Sequence, residues 1–240
     1  MLLAGNDIVD LSHHSTHEKW RDHRFVARVC SADEQQCIQS ASDPNLTLWK
    51  IWSAKETLFK IVSKLQTPPV FSHKKFIITL LDGNRMAHAT YHDCTIEVQF
   101  IVKNNVLHAG AVSSTTGAPS SMHYHMALAP LPPNLPEDME KLDDFTEWER
   151  ESLHKWESVV VRRQLKEELR QRLGVKMSDL QIIRPQVSHK SCPPYVVLHG
   201  ARIPNIDISL SHHGKWVGWA LVIIPSDNIE NSQPQKHSSQ

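Results

Sequence analysis

The sequence predicts an α+β protein, and three observations carry that reading. Helical patterns come before runs of strands instead of alternating with them, which disfavours a doubly wound parallel sheet. The order of helices then strands occurs twice along the chain. Between the two occurrences, from Ser114 to Pro136, the composition shifts to Ser, Thr, Pro, Gly and Ala, as in a linker. Two similar halves in one chain follow from element order, since no residue-level repeat accompanies it.

Each element has its own local cause. Ser31 followed by Glu34 is a capping-box pattern that opens a helix over Ser31 to Ser40. Asp43 then Pro44 sets an N-cap and a first helical proline. Leu48, Ile51, Leu58, Val62 and Leu65 recur at helical spacing after it, and Pro68-Pro69 ends the run. Strands are predicted at Lys75 to Leu81, Thr95 to Val102 and Leu107 to Ser113, with Ile96, Val98 and Phe100 alternating onto one face. Met122 to Ala129 can add a further strand. Thr146 with Glu149 repeats the capping box, and one helical pattern runs from there to Leu173, closed by Gly174. Strands are then predicted at Leu180 to Ile183, Tyr195 to Leu198, Ile206 to Ser211 and Trp216 to Ile224. The polar segment from Ser226 to Gln240 reads as disordered.

Composition excludes several classes. Lys plus Arg equals Asp plus Glu at 26 each in 240 residues, so bulk charge argues for neither nucleic acid nor a membrane surface. No apolar run reaches the roughly 20 residues of a membrane span, and no signal peptide is legible at the start. The four cysteines are too scattered for a disulfide framework or a zinc knuckle. Cys30 and Cys37 fit two thiols on one helix face. Sixteen histidines raise a metal-storage or sensor reading, but pairs such as His13-His14 lack ligand partners at helical spacing. A reduced, cytoplasmic enzyme is the expectation.

Three segments have the residue types for chemistry. Trp52, Glu56 and Lys60 form one stripe of the predicted helix, opposite its apolar face. An isolated Glu-Lys pair is ordinarily a solvated one, but the tryptophan one turn earlier implies that something covers this stripe. In Gly5-Asn6-Asp7-Ile8-Val9-Asp10 the apolar residues can anchor the segment while its acids project, either to cap a helix or to join Glu56 in binding a hard cation. In Ile206-Asp207-Ile208-Ser209-Leu210-Ser211-His212-His213-Gly214 alternation sends Asp207, Ser209 and Ser211 away from the core, and the run ends in two histidines and a glycine. This is a polar hairpin turn or a phosphate-binding end.

Taken together, Gly-x-Asp-Ile, Trp-x-x-Lys-Glu-x-x-x-Lys and Ser-x-Ser-His-x-Gly resemble the hallmark segments of the 4'-phosphopantetheinyl transferases. Their order is similar to that of the single-module holo-acyl-carrier-protein synthases, which are about half this length. The longer surfactin-type enzymes carry two modules in the opposite order. The resemblance implies two similar modules, each an antiparallel sheet plus helices, paired as a pseudo-dimer. The first would span residues 1–117 (the Mg²⁺ and diphosphate side), the second 118–225 (the nucleotide side), and the tail 226–240.

The activity implied is transfer of phosphopantetheine from coenzyme A to a serine of an apo acyl or peptidyl carrier protein, releasing 3',5'-ADP. Asp7 and Glu56 would hold Mg²⁺, with Asp7, Glu56 and Lys60 catalytic and Lys60 at the diphosphate. Ser211, His212 and His213 would contact the 3'-phosphate and adenosine side, with Arg162 and Lys190. Arg21, Arg24 and Arg28 would receive an acidic carrier, and a monomer is implied, with neither nucleic acid nor membrane as partner. The alternative is a non-catalytic coenzyme A or carrier-protein binder on the same fold. Two departures stand out: Val9 occupies the place of the surfactin-type third acid, and Ser191-Cys192-Pro193 stands where Gly-Lys-Pro is usual.

Overall fold

The computed structural model describes residues 2–65, 71–114, 122–135, 142–187 and 190–224. Strand β1 (Leu2–Asp10) is followed by helices α1 (His23–Val29), α2 (Ala32–Ser40) and α3 (Pro44–Leu65). Strands β2 (Ile77–Leu80), β3 (Met86–Tyr91), β4 (Cys94–Lys103) and β5 (Val106–Ser114) come next. They form one antiparallel sheet in the order β1-β5-β4-β3-β2, which brings the first strand beside the last.

Strand β6 (His123–Pro130), short helix α4 (Glu147–Arg150) and helix α5 (Trp156–Leu173) follow. Then come β7 (Leu180–Ile183), β8 (Gln186–Val187), β9 (Lys190–Ser191), β10 (Tyr195–Leu198), β11 (Ala201–Arg202), β12 (Ile206–His213) and β13 (Trp216–Ile223). These pair as β12-β13-β6, β11-β10-β7 and the ribbon β8-β9, all antiparallel. The molecule is α+β, as its element order predicts. Among the described residues no helix is long and apolar enough to cross a membrane.

Helix α3 starts where its signals place it, with Leu46 N–H donating to Asp43 Oδ1 at 2.9 Å. Its apolar stripe, including Leu48, Ile51, Leu58 and Val62, packs on Ala87, Ala89, Ile96 and Val98 of the large sheet. Leu65, the last residue of the predicted stripe, is exposed. A second core sets Val161, Leu165 and Leu169 of α5 against Leu180, Ile182, Ile206, Ile208 and Leu221.

One local device occurs in both halves. In α2 the capping glutamate Glu34 accepts from Ser31 N–H at 2.7 Å, Lys55 Nζ at 2.7 Å and Ile78 N–H at 2.8 Å. In α4 the capping glutamate Glu149 accepts from Thr146 N–H at 3.0 Å, Lys166 Nζ at 3.3 Å and Ile182 N–H at 2.8 Å. Each carboxylate ties its short helix to the long helix and to the first strand after it. Both ion pairs are almost fully buried, a placement tolerable because hydrogen bonds satisfy the carboxylates.

Several expectations need correction. Strand β1 was not predicted as a strand, because all nine of its residues are buried and it shows no alternation. A Cβ on Gly5 would meet Thr57 O of α3 at 2.6 Å, and one on Gly218 of β13 would meet Ile8 Cγ2 at 2.8 Å. So β1 is covered on both faces, and glycines permit the approach. Helix α1 and strand β3 were also missed. The single helix predicted from Thr146 to Leu173 is broken between α4 and α5, since a straight helix would not fold Glu149 back onto Lys166. Cys30 and Cys37 do not share a helix: Cys30 caps the C-terminus of α1 and Cys37 lies in α2. Met122 to Ala129 does belong to a strand, β6. The predicted tail, 226–240, lies outside the described residues.

The buried Glu34 pair gives a stability test. Glu34→Ala strands the Lys55 ammonium and the Ile78 N–H, and is expected to cost about 3–5 kcal/mol in urea unfolding. A loss below about 1 kcal/mol would show that the pair is not a structural tie.

Candidate active site

The outer edge of β1 builds the site. In an antiparallel sheet alternate residues of an edge strand turn their N–H and C=O outward. On β1 the outward N–H groups of Ala4, Asn6, Ile8 and Asp10 donate to side chains of β12. The acceptors are Asp207 Oδ2 (2.7 Å), Ser209 Oγ (3.1 Å), Ser211 Oγ (3.2 Å) and His213 Nδ1 (2.9 Å). The polar face that alternation assigns to β12 therefore meets a strand edge. Two lysines of α3, one turn apart, serve the carbonyls: Lys64 Nζ donates to Ala4 O at 2.7 Å and Lys60 Nζ to Asn6 O at 2.7 Å. Lys64 also donates to Asp207 Oδ2 and Ile208 O, each at 2.6 Å.

Along this seam opens a cleft of about 450 Å³. Asp7 of β1, Glu56 and Lys60 of α3, Arg162 of α5, and Ser211, His212 and His213 of β12 all line it. The structure thus brings together seven of the eight predicted site residues. For the eighth, Lys190, the backbone lies in β9 and the side chain is outside the described ones. Asp10 faces elsewhere. Its Oδ1 accepts from Ser12 N–H and Oγ, and its Oδ2 from Lys215 N–H.

The cleft has two electrostatic walls. On one, Lys60 Nζ lies 3.3 Å from Asp7 Oδ1 and 3.4 Å from Leu210 O. Ser211 Oγ donates to the same Asp7 oxygen at 3.0 Å. Glu56 has no ion-pair partner within 4.0 Å among the described residues. Burial, reinforced by the charge of Asp7 and only partly offset by Lys60, pushes its carboxyl up to about 7. On the other wall Arg162 is buried yet has no ion-pair partner within 4.0 Å among the described residues, although the charge of Glu149 acts on it. Its Nη1 donates to Ser158 O and its Nη2 to Ser152 Oγ, while Nε has no partner among the described residues. Burial and then the neighbouring Arg184 lower it to about 10. Placing cations with spare donors across a cleft from paired carboxylates provides for a ligand that carries several anionic oxygens and shares a cation with the protein.

The aromatic side of the cleft is Phe25, Trp49 and Trp52, with Phe25 and Trp52 stacked at 5.5 Å between centroids. Trp52 thus belongs to a covered stripe, as its place one turn before Glu56 implies. His212 stands exposed at the rim. His213 accepts at Nδ1 from Asp10 N–H, so its neutral ring carries the proton on Nε2. Sequence reasoning missed Arg184. Its only signal is a cation between the end of a predicted strand and Pro185, which periodicity does not mark.

Two carboxylates that repel one another beside a lysine, in one cleft with arginines, suit a ligand that carries phosphate groups. The family model of the 4'-phosphopantetheinyl transferase superfamily matches residues 4–110 of the chain. The matched stretch contains Asp7, Glu56 and Lys60. Comparison with curated proteins gives no match.

The raised Glu56 carboxyl makes a pH prediction for the metal-free protein. Against an ordinary value of 4.5, a folded value near 7 favours the folded state fully below 4.5, and that contribution is lost as pH rises through 7. The urea midpoint should therefore fall between about pH 5 and about pH 8, and Glu56→Gln should flatten the fall. Parallel profiles for wild type and variant would contradict the assignment.

Proposed function

We propose that the chain transfers the 4'-phosphopantetheine group of coenzyme A to a serine hydroxyl of an apo carrier protein, releasing 3',5'-ADP. The observation that carries this reading is the convergence of Asp7, Glu56 and Lys60 in one cleft with Arg162 opposite. The superfamily match supports it. On this reading the two capping glutamates, each tied to a long-helix lysine and a strand N–H, are one module used twice. Residues 1–117 and 118–225 then form a pseudo-dimer with the cleft between them, in a monomeric protein.

The residues fit Mg²⁺. Asp7 and Glu56 are hard oxygen donors, and the repulsion that raises Glu56 is what a cation would relieve. Asp7 and Glu56 would hold the ion, which when bound neutralises charge on the diphosphate. Two protein ligands leave places for water and phosphate oxygens. Lys60 adds a positive charge where the leaving phosphate gains negative charge. Arg162, with Arg184 and His212, takes the phosphorylated nucleotide end.

The serine oxygen attacks the β-phosphorus of coenzyme A, and the bond to the bridging oxygen of 3',5'-ADP breaks. The serine proton passes to Glu56, directly or through a water. Positioning and charge stabilisation supply most of the rate in such chemistry. Exposed Arg21, Arg24 and Arg28 lie on α1 and the turn before it, on the side of the cleft bordered by Phe25. They offer a basic surface to an acidic carrier protein.

Incubating the protein with coenzyme A, Mg²⁺ and an apo carrier protein should add the phosphopantetheine mass to the carrier. Glu56→Ala and Asp7→Ala should each lower kcat/KM by about 10²-fold or more with the fold retained. A fully active Glu56→Ala would overturn the mechanism. Tight coenzyme A binding with no labelling of several carriers would make the protein a binder instead. Omitting Mg²⁺ should abolish labelling, and addition of Mg²⁺ should restore it.

A further inference from the structure

The Ser211 hydroxyl spends its one proton inside the fold. It is buried, accepts from Ile8 N–H at 3.2 Å, and donates its single proton to Asp7 Oδ1 at 3.0 Å. Lys60 Nζ reaches the same Oδ1 at 3.3 Å, and is itself held by Leu210 O at 3.4 Å. Adjacent residues of β12 therefore fix both members of the Asp7–Lys60 pair, one through a carbonyl and one through a hydroxyl. All protein donors to the Asp7 carboxylate among the described residues go to Oδ1, leaving Oδ2 without one.

We infer that Ser211 is a positioning residue for Asp7, not a ligand of the substrate phosphate, and that it turns Oδ2 of Asp7 toward the divalent cation. The inference rests on the transferase reading for the identity of the cation. It gives the seam between β1 and β12 a second task. A carboxylate with both oxygens free would rotate about its terminal bond, and fixing one oxygen selects one orientation for the other. A hydroxyl that must also satisfy a buried backbone N–H has neither a spare proton nor room to turn outward to a phosphate.

Ser209 supplies the control. It accepts from Asn6 N–H at 3.1 Å, as Ser211 does from Ile8, but is not among the donors to Asp7. The test is a titration of the full-length protein with Mn²⁺, followed by electron paramagnetic resonance, without nucleotide. Ser211→Ala should weaken Mn²⁺ binding about 10-fold, the order of effect seen when a partner that orients a metal ligand is removed. Ser211→Thr should restore most of it, and Ser209→Ala should leave it within about twofold of wild type, while affinity for 3',5'-ADP without metal stays unchanged in all three.

Equal weakening by Ser209→Ala and Ser211→Ala would reduce Ser211 to a structural tie and overturn the inference. So would unchanged Mn²⁺ binding with lost 3',5'-ADP affinity in Ser211→Ala, the signature of a phosphate ligand. Should Ser211→Ala fail to fold, Ser211→Cys, which keeps a weak donor, is expected to bind Mn²⁺ with intermediate affinity; wild-type affinity there would overturn the inference. Failure of the transferase reading is separable, because wild type would then label no carrier whatever the Mn²⁺ titrations show.

Discussion

The outer edge of β1 is the constraint on which the rest depends. An open strand edge inside a protein must find partners for its N–H and C=O groups. Here no backbone strand supplies them. Four side chains of β12 take the N–H groups, and two lysines of α3 take carbonyls. This arrangement joins β1 to β12 without merging their sheets, and the cleft opens along the seam. Asp7 lines it because it sits on the same strand, between residues whose backbone is held by β12.

The frame around the cleft is tied together for a related reason. Glu34–Lys55 and Glu149–Lys166 are desolvated ion pairs, costly to form and costlier to break singly. Each locks a short helix against a long one, and the long helices carry Glu56, Lys60 and Arg162. Charges in the cleft are thus mounted on elements whose own charges are satisfied elsewhere. Glu56 and Arg162 are not so satisfied, and the contrast marks the site: burial and like charge drive one up to about 7 and the other down to about 10.

Much of this was legible in the chain. Capping boxes at Ser31 and Thr146, the Asp43-Pro44 start and the alternation of Thr95 to Val102 depend on neighbours within a few residues, so local chemistry decides them. The Trp52–Glu56–Lys60 stripe was legible as a face because helical spacing fixes it. Strand β1 was not, because burial on both faces erases the alternation that marks a strand. The break between α4 and α5 was not, because it answers to Lys166 and Ile182, far from Glu149 in sequence.

By itself, then, the sequence determined the class of fold, the position of most elements and seven of the residues that line the cleft. Side-chain periodicity and capping are short-range and survive in a linear reading. Only the tertiary structure decided what those residues touch: that Ser211 spends its hydroxyl on Asp7, that Asp10 is taken by Ser12 and Lys215, and that Arg184 joins Arg162. Contacts across some two hundred residues are set by how two sheets meet, and no local pattern encodes that meeting.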